Sequence, residues 1–455
     1  ALPPVHRAAA LVTAPAAMVL LQAVRVLDPG SGRDQPGCDV LIEGSRIAAI
    51  GRGLPVPPGA AVWSRPGSVV TPGFLDLHCH LRDPGAPDKE TVGTGTAAAA
   101  RGGFAAVCAM ANHTPPLDDP TRLAAARAHD RGRALVPVHR FAACTRELAG
   151  VQPVDVDGCV AAGAAGFSDD GRHALGPAQL EAVLRAAAHH GRVVAIHPED
   201  EDALAAVNSG GSPTTWTHRP AGAEEAAVRS ALAVLRAVAG AGARLHLQHL
   251  STAAAVAALR AARAEGLPVT GEVTPHHLAL DAPPAGPPAG PWKVNPPLRG
   301  PQDRRALWAA VRDGTIQAIA TDHAPHEAAA KTGDPWRDAA GISGLETALA
   351  VCLGLPGAAD ALPQLVTALT VGPWEVLGAA TGVMRPALRV GGPATCTWFD
   401  PQERWTPARE ADAWCSRGRN TPFWTVPLTG RVLATLIGGR AAYRAVAAPA
   451  EPVHA

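Results

Sequence analysis

The sequence predicts an α/β protein: a (β/α)8 TIM-like barrel carrying a small β domain built from both termini. Three observations carry that reading. Short apolar runs alternate with alanine-rich helical stretches through the middle of the chain, over about 250 residues, the length of such a barrel. Strand-like segments with tight turns flank this middle on both sides. Histidine and aspartate recur where the apolar runs end, the end at which barrels keep their chemistry.

In order along the chain, residues 1–17 read as a leader. The stretch 8–21 is apolar and follows Arg7, faintly like a signal peptide, but Pro15 interrupts it, and a natural start near Met18 is expected. Residues 18–68 read as short strands, with Asp28-Pro29-Gly30 and Glu43-Gly44 as turns. Together with 388–447 they are expected to form the composite β domain, and 448–455 a tail. The barrel is assigned to 69–387. Its strands are expected within 69–81, 104–112, 134–144, 164–170, 193–197, 244–251, 269–274 and 316–322. Helices are expected at 179–189, 223–239 and 252–265, and 283–291 is a Pro/Gly-rich loop. A doubly wound open sheet is the alternative, but no G-x-G-x-x-G follows a first strand, which counts against a dinucleotide site.

Composition narrows the partners. Lys+Arg 40 balances Asp+Glu 40, and no basic block occurs, which argues against nucleic acid or an acidic membrane surface. No uninterrupted apolar run reaches the roughly 18 residues of a membrane span. The eight cysteines are scattered without a C-x-x-C pair, as expected for free thiols in a reducing, cytoplasmic setting. Lysine is confined to Lys89, Lys293 and Lys331.

The chemistry begins at Asp76-Leu77-His78-Cys79-His80-Leu81-Arg82. Strand alternation places Asp76, His78, His80 and Arg82 on one face, and two imidazoles so spaced can reach one ion. Later runs end in Asp169-Asp170-Gly171, His197, His249 and Asp322-His323-Ala324-Pro325-His326. Together these place imidazoles and carboxylates at the ends of strands 1, 4, 5, 6 and 8, a donor set suited to one or two divalent ions, zinc foremost. His246 has the opposite parity to His249 and is expected to face the helix layer. His276 and His277 are expected near the site but outside the ligand set.

These motifs resemble the dihydroorotase family of the amidohydrolase superfamily, in the bacterial form with an aspartate bridging the metals. The resemblance runs from about residue 19 to 444. It rests on the stretch from Asp76 to Gly85, Cys108-Ala109-Met110-Ala111-Asn112, Phe167-Ser168-Asp169-Asp170-Gly171, Glu272-Val273-Thr274-Pro275-His276-His277, Asn295-Pro296-Pro297-Leu298-Arg299-Gly300, and Ala320 to His326 with Lys331. It implies that His78 and His80 hold a first metal with Asp322. Asp170 would bridge to a second, held by His197 and His249. Arg82, Asn112 and His326 would take the substrate carboxylate, with His80 also among the substrate-binding residues. Asn295 and the backbone at Ala340 and Gly341 would contact the pyrimidine ring. The implied reaction is reversible cyclisation of N-carbamoyl-L-aspartate to L-dihydroorotate and water, with Asp322 as general acid and base. The sequence departs from the family at Cys79, Ala111 and His113.

Two rival readings follow from the same superfamily. Hydantoinases and allantoinases typically bridge their metals with a carboxylated lysine on strand 4, and no lysine lies near Asp170. A non-catalytic subunit scaffolding aspartate transcarbamoylase would lose metal ligands, and all six are present here. Homodimerisation and association with aspartate transcarbamoylase are both compatible with the sequence.

Overall fold

The computed structural model describes residues 18–171, 175–200, 219–283, 289–408 and 414–445. The expected leader, 1–17, and the expected tail, 448–455, lie outside the described residues. Strands β1 (Met18–Asp28), β2 (Arg33–Glu43), β3 (Arg46–Gly51) and β4 (Ala61–Ser64) open the chain, followed by β5 (Val69–Pro72). The chain then alternates through β6 (Phe74–Cys79), β7 (Phe104–Ala109), β8 (Val138–Arg140), β9 (Gly166–Phe167), β10 (Val193–Ile196), β11 (Arg244–Leu247), β12 (Val269–Val273) and β13 (Ala318–Ile319). It ends in β14 (Cys396–Trp405), β15 (Leu428–Ile437) and β16 (Arg440–Arg444).

Strands β6 to β13 are parallel and form the (β/α)8 barrel. They pair as β6-β7-β8 and β9-β10-β11-β12-β13. Single parallel bridges close the ring, Ala142 to Phe167 on one side and Cys79 to His323 on the other. Helices are set by local signals. Thr91 caps Val92–Arg101 in a capping box with Thr94, and Asp119 caps Pro120–Asp130, whose proline occupies the first turn. One buried cluster fills the layer between strands and helices, with Val107, Leu245, Leu247, Leu259 and Val273 among its members. A second, with Leu75, Leu77, Met110, Ala195 and Ala320, joins strands from around the ring and packs on Val376 and Leu377. Arg244, which opens β11, donates to Leu377 O at 3.0 Å, so the end of the helix Val371–Leu377 closes the N-terminal mouth of the barrel.

The run 69–81 is two strands, not one. Val69–Pro72 pairs with β1 and with β14 and belongs to the second sheet, ordered β16-β15-β14-β5-β1-β2-β3 with β4 also against β1. The expected boundary after residue 68 therefore falls after Pro72. Gly73 is the crossing point: a Cβ there would lie 2.3 Å from Ala105 Cβ, so no side chain fits where the two sheets meet. Cys38, Cys79, Cys108, Cys144, Cys159, Cys352 and Cys396 are buried and form no disulfide. No helix among the described residues is long and apolar enough to cross a membrane.

Candidate metal centre and active site

The C-terminal ends of the barrel strands gather every histidine and aspartate expected to bind metal. His78 ends β6 and His80 follows it; Asp170 follows β9, His197 follows β10, His249 follows β11 and Asp322 follows β13. All six are buried. The two oxygens of Asp170 divide between two clusters. Its Oδ2 lies 3.3 Å from His78 Nε2 and 3.4 Å from His80 Nε2, while its Oδ1 lies 3.4 Å from His249 Nε2 and 3.7 Å from His197 Nδ1. Asp322 Oδ1 completes the first cluster, 3.0 Å from His80 Nε2 and 3.6 Å from His78 Nε2.

These spacings fit a metal. Ligands about 2.0–2.1 Å from a tetrahedral ion lie about 3.3 Å apart. In two overlapping groups the possible ligand atoms all lie within 4.8 Å of one another, His78 with His80 and Asp322, and His78 with Asp170 and His249. His78 Nε2 is fully buried and lacks a hydrogen-bond partner, as a ligand atom should, while its Nδ1 meets Glu272 Oε1 at 2.7 Å. A carboxylate behind an imidazole fixes the tautomer and raises its basicity. Burial disfavours a positive His78, but Asp170, Glu272 and Asp322 outweigh it and hold its pKa well above the ordinary value. Burial likewise opposes the charged forms of Asp170 and Asp322, but His78 acting together with the other histidines outweighs it, His197 and His249 on Asp170 and His80 and His249 on Asp322, keeping both carboxylates below their usual range. The centre is thus built to favour positive charge between two ionised carboxylates.

Strain marks the same residues. Arg82, His249 and Asp322 have φ of +59°, +30° and +44°, left-handed values that cost non-glycine residues energy. Neighbouring bonds hold them. Asp76 accepts from Thr321 N at 2.8 Å and from Thr321 Oγ1 at 2.6 Å, so it braces the turn after β13 that carries Asp322. His323 meets Glu90 at 3.2 Å.

Arg82, Asn112, Asn295, His326, Ala340 and Gly341 line one cleft of about 450 Å³ with His80, Asp170, His197, His249 and Asp322. Arg82 Nε is buried without a partner. Asn112 does more than face the cleft: its Oδ1 meets His80 Nδ1 at 2.8 Å and its Nδ2 donates to Asp170 O at 3.2 Å. His326 Nε2 meets Ala340 O at 2.9 Å, and burial with nearby Arg82 pushes its pKa down to about 3.

Some placements differ from the sequence reading. His246 faces inward, meeting Glu272 Oε2 at 3.1 Å and Thr270 Oγ1 at 2.8 Å. Parity failed because β11 ends at Leu247 and the chain turns before His249. His276 and His277 stand on the short helix Pro275–Ala279, not on a strand. Three participants were missed. Glu272 supports both His78 and His246; an acidic residue inside an apolar strand was the available signal. Gln248 meets His78 Nδ1 at 3.2 Å. Arg219 lines the cleft and pairs with Glu199, which accepts from His197 Nε2 at 2.6 Å. Nothing in its local sequence marked it.

A barrel of this topology with imidazole and carboxylate donors at its strand ends defines the amidohydrolase class. Comparison with known proteins places the chain within it. Residues 67–255 match the family described as Dihydro-orotase-like. The dihydroorotase of Anaeromyxobacter dehalogenans is 42% identical over 439 residues, covering 93% of this chain and 97% of that one. Those of Mycobacterium leprae and Solibacter usitatus are 37% and 36% identical, covering 95% and 92% of this chain and 99% and 97% of theirs. Among solved structures, the dihydropyrimidinase of Brevibacillus agri superposes with a TM-score of 0.80 at 23% identity, over 94% of this chain and 95% of that one. The D-hydantoinase of a Thermus species gives 0.79 at 24%, over the same shares. At that identity the likeness is one of fold. The chain belongs to the dihydroorotase family.

Proposed function

We propose that the protein is a dihydroorotase, interconverting N-carbamoyl-L-aspartate with L-dihydroorotate and water, and that two zinc ions serve the reaction. The observation that carries this reading is Arg82. Arg82 lines the cleft shared with the ionised Asp170 and Asp322, and its Nε is buried without a hydrogen-bond partner. A guanidinium there suits a planar carboxylate, which dihydroorotate has and a simple hydantoin lacks. The end of the fourth barrel strand carries Asp170 where a carboxylated lysine would otherwise bridge. Lys293 and Lys331 are engaged elsewhere, on Pro335 O and Gly290 O.

His78, His80 and Asp322 would hold one ion, His197 and His249 the other, with Asp170 between them. Such ions supply Lewis-acid polarisation of the amide carbonyl and a water acidic enough to react near neutral pH. Ring opening adds the water oxygen to the carbonyl carbon and breaks its bond to the ring nitrogen. One water proton must pass to that nitrogen. Asp322, kept ionised by His78 and His80, accepts the proton and delivers it; ring closure uses the same group in reverse. Arg82, Asn112 and His326 orient the carboxylate, and Asn295 with the Ala340-Gly341 backbone flanks the ring. Buried thiols without disulfides, such as Cys79, Cys108, Cys144 and Cys159, suit a reducing compartment, and we place the enzyme in the cytoplasm.

The test is an assay of purified protein with dihydroorotate and with an uncharged hydantoin, with metal content measured on the same sample. Turnover of dihydroorotate with bound zinc is expected. Turnover of the hydantoin alone would overturn the reading.

A further inference from the structure

Residues 414–424 lie between β14 and β15, in the part of the chain that otherwise builds the second sheet, yet they reach the mouth of the barrel. At their centre is Asn420, with 5% of its surface exposed. Its Nδ2 donates to Ala324 O and to Gly341 O, both at 2.9 Å. Its Oδ1 accepts from His326 N at 3.0 Å and from Ser343 Oγ at 2.8 Å. Ser343 N in turn donates to Asn420 O at 3.0 Å. The side-chain amide has two donor hydrogens and two acceptor sites, and all are used.

The partners belong to two segments that line the cleft, 323–326 and 340–343. The two run side by side, bridged at His323 and Ile342, with Ala324 N donating to Ile342 O at 2.9 Å. They touch backbone to backbone. Gly341 has φ +136°, and a Cβ on it would lie 2.6 Å from Ala324 Cβ. The Asn420 segment is as close, since a Cβ on Gly418 would lie 2.4 Å from Ser343 Oγ and 2.5 Å from Pro325 Cβ. Only a side chain that both donates twice and accepts twice can bridge here. Aspartate offers no donor to the two carbonyls, and glutamine is a methylene too long for the gap.

We propose that Asn420 is a positioning residue for the substrate: it fixes the two cleft-lining segments that present His326 and Gly341. The inference rests on the dihydroorotase reading. It makes the C-terminal part of the chain a determinant of substrate affinity, although none of its described residues lines the cleft itself.

The experiment compares steady-state kinetics of the full chain, Asn420→Ala and Ser343→Ala with dihydroorotate, with metal content and circular dichroism recorded for each. Removing Asn420 strips four buried groups of a partner. The KM of Asn420→Ala is expected to rise about 10- to 100-fold, as for loss of roughly 1–3 kcal/mol of buried hydrogen bonding, with kcat and metal content little changed. Ser343→Ala removes one of the four bonds and should raise KM about threefold, a result that stands even if Asn420→Ala does not fold. Unchanged KM in Ser343→Ala, or in a folded Asn420→Ala, beside an active parent would overturn the positioning role alone. A parent inactive on dihydroorotate would overturn it together with the functional reading.

Discussion

Arg82 lines the cleft with a left-handed backbone and a half-buried side chain whose Nε is buried without a protein partner. Leaving a buried donor unpaired is costly, and burial lowers the Arg82 pKa although Asp322 and Asp170 act to raise it. The arrangement is paid for only when an anion arrives. Lysine would keep the charge but not the planar fork. Arg82→Lys should therefore retain its metal and lose about 10- to 100-fold in kcat/KM for dihydroorotate, the value of one charge-assisted hydrogen bond. Kinetics and metal analysis on the same preparation decide the matter; wild-type kinetics would remove Arg82 from the carboxylate site.

At the scale of elements, β8 braces the loops that carry Arg82 and Asn112. Arg140 is fully buried. It donates to Asp130 through Nε at 3.0 Å and Nη2 at 2.5 Å, to His113 Nε2 at 2.7 Å and to Asp83 O at 3.0 Å. His113 Nδ1 donates to Pro84 O at 3.1 Å, which leaves Nε2 as the acceptor and the ring neutral. Burial, and next the Arg140 charge, push His113 down to about 3. In the unfolded chain it titrates near 6.5. Between those values the unfolded chain binds the extra proton, so this stability is complete above about pH 6.5 and drains away as pH falls toward 3. His113→Gln should lose less stability than the parent between pH 6.5 and 5, by up to about 2 kcal/mol. Urea unfolding at the two pH values tests this, and equal losses would refute it.

The same elements show how far sequence reading reaches. The strand ends were legible because apolar runs stop abruptly at His78, Asp170, His197 and Asp322. His246 was misplaced because alternation is a property of a strand, and β11 stops two residues before His249. Asn420 and Arg219 were invisible because they lie in loops, where neither period nor burial leaves a trace. Val69–Pro72 was misassigned because an apolar strand looks alike in either sheet.

At the scale of the molecule, the metal centre ties together five of the eight barrel strands. An ion bound only by the folded state adds stability by mass action, about 2.7 kcal/mol at one hundred times its dissociation constant. Dialysis against a chelator should abolish activity and lower Tm by a few degrees, and zinc should restore both. Calorimetry and assay of the same samples check it. A Tm indifferent to chelation and to added zinc would show that these strand ends hold no ion.

The position of β5 has a consequence for how the chain is made. β5 pairs with β1 on one side and with β14 on the other, Pro72 opposite Cys396. During synthesis at about 5–20 residues per second, the chain between those partners takes tens of seconds to emerge. For that interval the second edge of β5 presents bare amides and carbonyls, and an open edge is a template for any passing strand. The sheet can be completed only after the whole barrel has left the ribosome. The nascent protein is therefore most exposed to aggregation just before its last strands appear, and its yield in the cell depends on guarding that one edge.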